Sequence, residues 1–431
     1  MILDIKKLGI NGEGIAYDRK IPVFLSGCLP GETVDAVITE DHGNYKFAEV
    51  KRILKKSPSR IDPECRYFNI CDGCPLMILS YKDQIKEKKN LVFESIRKYA
   101  GIELRDLTII ENSAPFGYRN SCKVPFGLEK GKLIVGMYRS RSNELIPIQN
   151  CVIQEKDLNI RIKSVLSVLN KYHLKPYNKK SKEGLRYLFL RVFNEQWQCC
   201  LIKGNEELPS NLISEMLELE GLQVFASSTN TDPKSREIFG NNMRYFTKQK
   251  ELIFDWHGYS LKLSPRAFFQ LNTEQSFKLY EKAVSMISEK KRHIMEAYCG
   301  IGVISLMASR KAEKITAFEI NEDAVKNAKR IAAENFITNI RFVCSDSGAM
   351  LAKNNDCDLL IVDPPRSGMD ENMIAAIERS KIPEIIYISC SHISFAKNLR
   401  SLKHYQLTEI AAVDMFSNTP LIEIVAKLKR V

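Results

Sequence analysis

The chain has 431 residues, of which 44% are apolar, and its 64 Lys and Arg residues against 52 Asp and Glu residues give a formal charge of +12. This length predicts roughly three domains. No apolar run approaches the roughly 20 residues of a membrane helix, and the N-terminus lacks a signal-peptide pattern, so we expect a cytoplasmic protein without membrane contact. Twelve cysteines in a reducing compartment favour metal ligands, nucleophiles or core residues over disulfides.

Short alternating apolar segments broken by glycines make up residues 1–57. Period-two alternation with frequent turn residues predicts a small β-barrel. Prolines then mark the start of a mixed α+β central domain, residues 58–260, with helices near 81–99 and 208–220.

Four cysteines of the central domain have the spacing of a ligand set. Three lie within ten residues and one lies far downstream: Cys65, Cys71, Cys74 and Cys151. Four thiolates bind either zinc or an iron–sulfur cluster, and the spacing alone does not decide between them. The remaining cysteines, Cys390 excepted, are interpreted as core or incidental residues.

Two basic stretches indicate a polyanionic partner. Residues 46–60 carry six Lys and Arg against one acid, and residues 171–191 carry seven against one, with tyrosines interleaved in the second stretch. Basic side chains neutralise phosphates, and aromatic rings stack on bases. Each stretch alone is as typical of a solvated surface, so nucleic acid is favoured by the two together.

Residues 261–431 alternate strand and helix patterns, which predicts a doubly wound α/β sheet. HIMEAYCGIGVISLMAS reads as a strand, a glycine loop and a helix, and Gly300 and Gly302 permit close approach of the backbone to a ligand. Ser305 stands where a dinucleotide fingerprint has its third glycine. An NAD enzyme is therefore a disfavoured alternative.

Acidic residues follow the next three predicted strands in order: Glu319, Asp346 and Asp363. An acid at the tip of the second strand commonly accepts ribose hydroxyls, and the whole series is typical of a pocket for S-adenosylmethionine (SAM). Taken singly, each acid is as typical of a helix N-cap.

Two buried strands stop on reactive side chains. LLIV is followed by Asp363, and IIYIS by Cys390. The carboxyl ends of parallel strands face the ligand crevice, so we expect both side chains over one pocket. Glu423 follows in a third apolar run. A thiol with carboxylates nearby indicates covalent catalysis.

These motifs together resemble the RNA (uracil-5-)-methyltransferases over almost the whole chain, and residues 1–57 are similar to a TRAM domain, an RNA-binding module with an OB-like fold. The resemblance implies a Rossmann-like SAM-dependent methyltransferase domain and a [4Fe-4S] cluster on the four cysteines. It favours 23S ribosomal RNA over tRNA as substrate. The sequence does not show the oligomeric state, and a monomer is the plain expectation. The implied cofactor contacts are Gln270, Tyr298, Glu319 and Asp363, the implied nucleophile is Cys390, and the implied base is Glu423. By the same resemblance Arg119 lies near substrate, and Arg366 helps to hold the RNA.

The chemistry follows from the poor nucleophilicity of uracil C5. Addition of a cysteine thiolate to C6 makes C5 electron-rich, C5 then takes the methyl group of SAM, and a base removes the C5 proton. The flanks depart from the family pattern: Ser391 and His392 replace Asn-Pro, and Ser417 and Asn418 replace Pro-His.

Four alternatives stay open beside this interpretation. An amino-group methyltransferase normally has an aromatic residue after the prolines, where this chain has Arg366, and an RNA cytosine-C5 enzyme has a cysteine within the DPPR segment. A tRNA enzyme of the same family, or a catalytically silent RNA-binding scaffold, is compatible with the altered flanks.

Overall fold

The computed structural model describes residues 1–139, 142, 144–232, 234–235 and 237–431. By its internal contacts the chain forms two compact units. The first contains residues 1–115, 274–329 and 337–431, and the second contains residues 116–273 and 330–336. Within the described residues, no helix is both long enough and apolar enough to span a membrane.

The N-terminal segment forms the predicted β-structure. Its six strands lie in one sheet in the order β1-β5-β6-β4-β3-β2, antiparallel except for the β4–β6 pair. Alternating residues such as Val23, Leu25 and Val34 fill its core. The strands are β1 (Ile2–Asp4), β2 (Lys7–Leu8), β3 (Gly14–Asp18), β4 (Ile21–Leu25), β5 (Thr33–Asp41) and β6 (Lys46–Lys55).

A helix and a short strand then join the first unit. Ser80 caps helix α1 (Tyr81–Ser95) by accepting a hydrogen bond from the amide of Asp83, and the helix continues as a π-helical turn, Ile96–Ala100. Strand β7 (Thr108–Ile110) follows. These elements confirm the helix predicted near 81–99.

The second unit holds a seven-stranded sheet in the order β10-β9-β8-β11-β12-β13-β14, with a separate β15–β16 hairpin. Its core lies between the sheet and two helices, Lys156–Lys171 and Ser210–Leu217, and the second of these confirms the helix predicted near 208–220. The elements are β8 (Ser121–Glu129), β9 (Lys132–Tyr138), β10 (Leu145–Pro147), α2 (Lys156–Lys171), β11 (Leu185–Phe193), β12 (Gln196–Lys203), α3 (Ser210–Leu217), β13 (Leu222–Thr229), β14 (Asn242–Tyr245), β15 (Leu252–Trp256) and β16 (Tyr259–Leu263). Strand β16 crosses the predicted boundary at 260/261, and the three-domain division stays a prediction.

The rest of the first unit is the predicted doubly wound sheet, with strand order β19-β18-β17-β20-β21-β23-β22-β7. Strands β17 to β21 run parallel, and β23 inserts antiparallel between β21 and β22. The elements are α4 (Thr273–Ser285), β17 (Lys291–Ala297), α5 (Val303–Ala308), a 3₁₀ turn (Ser309–Lys311), β18 (Ala312–Glu319), α6 (Glu322–Glu334), β19 (Ile340–Cys344), α7 (Ser347–Lys353), β20 (Leu359–Val362), α8 (Glu371–Arg379), β21 (Glu384–Ser389), α9 (His392–Ser401), β22 (Tyr405–Val413) and β23 (Glu423–Arg430). The sheet thus draws its outermost strand, β7, from upstream of residue 261.

The strand order reverses between β17 and β20, because β18 pairs with one side of β17 and β20 with the other. Crevices at such a switch point, outside the carboxyl ends of the strands, are where open α/β sheets bind ligands. The fold therefore directs attention to the loops that follow β17, β18, β20 and β21.

Candidate active site

The two reactive side chains expected over one pocket lie at the same edge of the sheet. Asp363 follows β20 and Cys390 follows β21, and these strands run parallel with Val362 opposite Tyr387. Glu423 begins β23, whose next residue, Ile424, is opposite Ser389. The antiparallel insertion of β23 therefore carries Glu423 to the edge that holds Cys390. Glu423 is only 3% exposed and lies on an inner strand, so it is not a surface charge of an edge strand.

The charges of Asp363, Arg366 and Glu423 affect the pKa values at this site. Burial, together with the charges of Glu423 and Asp363, raises the pKa of the Cys390 thiol to about 11 against the opposing charge of Arg366. Burial and the charge of Asp363 likewise raise the pKa of Glu423 to about 8, and the charge of Arg366 opposes this rise. Burial alone raises the pKa of Asp363 to about 7. A carboxyl that titrates near neutral pH is suited to accept and release a proton.

The turn after Asp363 is hydrogen-bonded to α9, the helix that follows Cys390. Ser394 Oγ of α9 donates to the carbonyl oxygen of Arg366 at 3.0 Å. Asn398 Oδ1 accepts from the backbone amide of Met369 at 2.8 Å and from the Tyr387 hydroxyl at 2.7 Å. These hydrogen bonds join the turn that contains Asp363 and Arg366 to α9 and β21, the two elements on either side of Cys390.

Both residues that follow Cys390 have hydrogen-bond partners. Ser391 caps α9, since its hydroxyl accepts from the amide of Ser394 at 3.2 Å. The His392 ring is buried, with Nδ1 2.7 Å from the hydroxyl of Ser95 in α1. Burial lowers the pKa of His392 to about 4, so the ring is neutral at physiological pH. This departure from the family pattern therefore serves packing between α9 and α1.

The glycine loop after β17 has the conformation that its sequence requires. Gly302 has a φ of +81°, and a Cβ there would come within 2.5 Å of the Phe342 ring. Gly300 has a φ of +53°, and a Cβ there would meet no atom within 4 Å, so its backbone borders open space. Tyr298 has a φ of +61°, an uncommon conformation for a bulky residue that is found at functional sites.

Glu319, at the end of β18, is bound to this loop. Its Oε2 accepts from the amide of Gly300 at 3.1 Å and its Oε1 from the amide of Asn321 at 2.9 Å. The acid of the third strand has a different place, because Asp346 caps α7 by accepting from the amide of Ala349. Glu319 thus holds the glycine loop, whereas Asp346 holds the first turn of α7.

Sequence reasoning missed a buried acid beneath the loop. Ser305 Oγ donates a hydrogen bond to Oε2 of Glu296, which is 1% exposed. Burial raises the pKa of Glu296 to about 8, and within the described part of the chain its Oε1 has no hydrogen-bond partner. The sequence does indicate this pair: Glu296 lies near the end of β17, the strand before the glycine loop, and Ser305 stands in place of the third glycine.

Gln270 lies in the second unit, in a segment that two side chains of that unit hold. Arg191 NH2 donates to the carbonyl oxygen of Ala267 at 2.7 Å, and Asn120 Nδ2 donates to the carbonyl oxygen of Gln270 at 2.9 Å. Arg119 precedes Asn120, and its amide donates to the carbonyl oxygen of Ile153. The ligand roles expected of Gln270 and Arg119 stay predictions.

The four cysteines are divided between the units. Cys65, Cys71 and Cys74 are half-buried in the loop before α1, and Cys151 belongs to the second unit. The pKa of Cys71 is raised, first by burial and in part by the charge of Cys65. Among the described residues, no group of three or more His, Cys, Asp or Glu side chains is arranged to hold a metal ion.

Two family models match the chain. The model described as tRNA (Uracil-5-)-methyltransferase matches residues 80–431, and the TRAM domain model matches residues 3–51. A relative from Bacillus cereus, described as an uncharacterized RNA methyltransferase, is 34% identical over 443 residues, which cover 99% of this chain and 96% of the relative. A relative from Clostridium tetani with the same description is 31% identical and covers 98% of this chain and 95% of its own length.

A solved structure has the same fold. The crystal structure of Pyrococcus abyssi tRNA (uracil-54, C5)-methyltransferase in complex with S-adenosyl-L-homocysteine superposes with a TM-score of 0.81. The two sequences are 24% identical, and the match covers 99% of this chain and 100% of that one. The fold expected from the strand and helix pattern is therefore confirmed along the whole chain.

Proposed function

We propose, since the chain belongs to the tRNA (uracil-5-)-methyltransferase family, that it transfers a methyl group from SAM to carbon 5 of a uridine in RNA. The observation that carries this proposal is the placement of Cys390 and Glu423 at one sheet edge beside Asp363. A nucleophile and a base at one site are the two groups that C5 methylation of uracil requires.

Cys390 acts as the nucleophile. Its sulfur forms a bond to C6 of the uracil, and the electrons of the C5–C6 double bond move into an enolate. C5 then bonds to the methyl carbon as the bond from that carbon to the sulfonium sulfur breaks, which releases S-adenosylhomocysteine. Glu423 takes the C5 proton, the double bond reforms, and the Cys390 sulfur leaves. The charge of Arg366 favours the thiolate and the carboxylate, because it lowers the pKa of both groups.

Gln270, Tyr298, Glu319 and Asp363 are the proposed contacts of SAM. Support comes from the conformation of the glycine loop, where Gly300 borders open space and its amide is held by Glu319. Glu319 and Asp363 lie at the carboxyl ends of the two strands that flank β17, and carboxylates at this edge of a parallel sheet are suited to accept hydrogen bonds from ribose hydroxyls and from an amino group. Asp363 lies beside Cys390, where the methyl group has to be delivered.

The proposed substrate is 23S ribosomal RNA, modified in the cytoplasm by a single subunit. The TRAM match at residues 3–51 and the basic stretches at 46–60 and 171–191 support an RNA partner. In the second stretch, the Arg186 guanidinium lies 5.0 Å from the Tyr177 ring centroid, and such aromatic and cationic pairs stack on unpaired bases. The target uridine has to leave its stack to reach Cys390.

Cys65, Cys71, Cys74 and Cys151 are the proposed holders of a [4Fe-4S] cluster with a structural role. The chemistry of the donor set fits, since four thiolates are the usual ligands of such a cluster. They are also the ligands of structural zinc. Iron and sulfide in anaerobically purified protein would support the cluster, and one zinc ion per chain without iron would replace it.

The experiment that tests the function is methyl transfer from labelled SAM to unmodified ribosomal RNA and to unmodified tRNA, followed by nucleoside mass spectrometry. We expect 5-methyluridine in the large-subunit RNA and none with the Cys390→Ala variant. Product in tRNA alone would keep the reaction and replace the substrate. No product in either RNA, from folded protein that binds SAM, would favour a silent RNA-binding scaffold.

A further inference from the structure

The loop that leads to the proposed base is buried and polar. Residues 414–422, called here the base loop, join β22 to β23 and end at Glu423. Asp414 and Ser417 are fully buried, and Asn418 is 1% exposed. Buried polar groups are costly unless they are paired, so the partners of this loop determine where the base lies.

Helix α1 supplies those partners from one face. Tyr81, Gln84 and Lys88 are spaced by three and four residues, which places them on one side of the helix, and we call them the α1 polar face. Lys88 is 0% exposed. Its ammonium group donates to Asp414 Oδ1 and to the carbonyl oxygens of Phe416 and Leu421, at 3.0 and 2.9 Å for the two carbonyls. An ammonium group has three donors, and the base loop accepts all of them.

The second oxygen of Asp414 is also bound. Its Oδ2 accepts from the Tyr81 hydroxyl at 2.9 Å and from the Ser417 hydroxyl at 2.6 Å. Asn112 Nδ2 donates to Ser417 Oγ at 3.0 Å. Ser417, one of the two residues in the base loop that depart from the family pattern, is therefore a member of the network around the buried ion pair.

Asn418, the other departure, is held by a reciprocal pair of bonds. The backbone amide of Asn418 donates to Gln84 Oε1 at 2.8 Å, and Gln84 Nε2 donates to Asn418 Oδ1 at 3.0 Å. Asn418 has a φ of +67°, a conformation that asparagine tolerates better than most residues. Its carbonyl oxygen accepts from the amide of Leu76, and its side chain donates to the carbonyl oxygen of Pro115.

We propose that Gln84 and Lys88 are positioning residues for Glu423, acting through Asn418 and Asp414 to fix the base loop. The inference rests on the proposed function. The base has to lie within hydrogen-bond reach of the C5 proton, and small displacements of a catalytic group have large effects on rate. The bonds run from the helix to four of the nine loop residues: Asp414, Phe416, Asn418 and Leu421.

Because Glu423 acts late in the reaction, a variant that displaces only this base can be distinguished from a variant that lowers activity at every step. Glu423 acts after the methyl group has been transferred, so a displaced base leaves the methylated RNA bound to Cys390. With 5-fluorouridine RNA the C5 position has no proton to remove, and formation of the adduct reports only the earlier steps. Two substrates thus report the two halves of the reaction in one variant.

The experiment compares Gln84→Leu, Asn418→Gly and Lys88→Met with wild type, with Lys86→Met as the matched control. Lys86 is exposed on the same helix, and within the described part of the chain it forms no hydrogen bond to the base loop. Asn418→Gly keeps the positive φ while removing the side chain, so it tests the bonds without straining the backbone. Adducts are measured on denaturing gels with uridine RNA and with 5-fluorouridine RNA.

We expect Gln84→Leu and Asn418→Gly to release methylated uridine RNA at least about tenfold more slowly, the loss that corresponds to about 1.4 kcal/mol. Adduct formation with 5-fluorouridine RNA should stay within about twofold of wild type, as should both rates in the control. If Lys88→Met does not fold, the other two variants decide. Unchanged release, or equal slowing of both steps, would overturn the positioning role while leaving the function intact. Absence of methylation by wild type would overturn both.

Discussion

Alkylation of Cys390 in the free protein is expected to rise with pH far beyond the range in which an ordinary thiol ionises. Burial, with the charges of Glu423 and Asp363, raises the pKa of this thiol from 9.0 to about 11. At pH 8 about one molecule in a thousand would carry the thiolate, against about one in ten for an unshifted thiol, so the reaction should be roughly a hundredfold slower.

The assay is carbamidomethylation by iodoacetamide between pH 7 and 11, followed by mass spectrometry of the peptide that contains Cys390. Arg366 is the matched probe, because its charge opposes the rise in the pKa of Cys390. Arg366→Met should shift the profile to higher pH, and Glu423→Gln should shift it to lower pH. Half-maximal reactivity of wild type at or below about pH 9 would refute the reasoning, since it would mean that burial does not suppress ionisation.

Four further outcomes are expected. Gly302→Ala should lower the free energy of unfolding by about 1–3 kcal/mol in urea titrations, because the positive φ and the aromatic ring beneath it leave no room. At Gly300 an added Cβ meets open space, so Gly300→Ala should mainly weaken SAM binding, which calorimetry measures. A larger loss of free energy of unfolding than in Gly302→Ala would contradict this. Because burial raises the pKa of Glu296 from 4.5 to about 8, the stability it contributes is full below pH 4.5 and is lost as the pH rises through 8. Glu296→Gln should therefore lose less stability than wild type over that range, and parallel pH profiles would oppose the assignment. Lys88→Met should cost about 3–5 kcal/mol, and adding Asp414→Asn should recover part of that loss because it removes the orphaned charge; additive costs would argue against a coupled pair.

The sheet edge could be predicted because strands carry a local signal. The apolar runs before Asp363 and Cys390 have the length and composition of buried parallel strands, and the carboxyl ends of such strands share an edge. The same logic placed Glu319 at the end of β18. These predictions needed only neighbouring residues and one topological rule.

The rest depends on contacts that are distant in sequence. Lys88 meets Asp414 across 326 residues, and nothing in either segment indicates the other. Glu296 was overlooked because its partner, Ser305, was interpreted only as a missing glycine. The position of β23 between β21 and β22, which brings Glu423 to the site, follows from strand pairing rather than from the pattern of LIEIVAKL.

The most direct test of the central claim is the covalent adduct with 5-fluorouridine RNA in the presence of SAM, located by peptide mass spectrometry. If Cys390 is the nucleophile, the methylated fluoronucleotide will be attached to the peptide that contains Cys390, and the adduct will be absent in Cys390→Ala. An adduct on another cysteine, or methylation of uridine RNA that survives Cys390→Ala, would contradict covalent catalysis at this sheet edge.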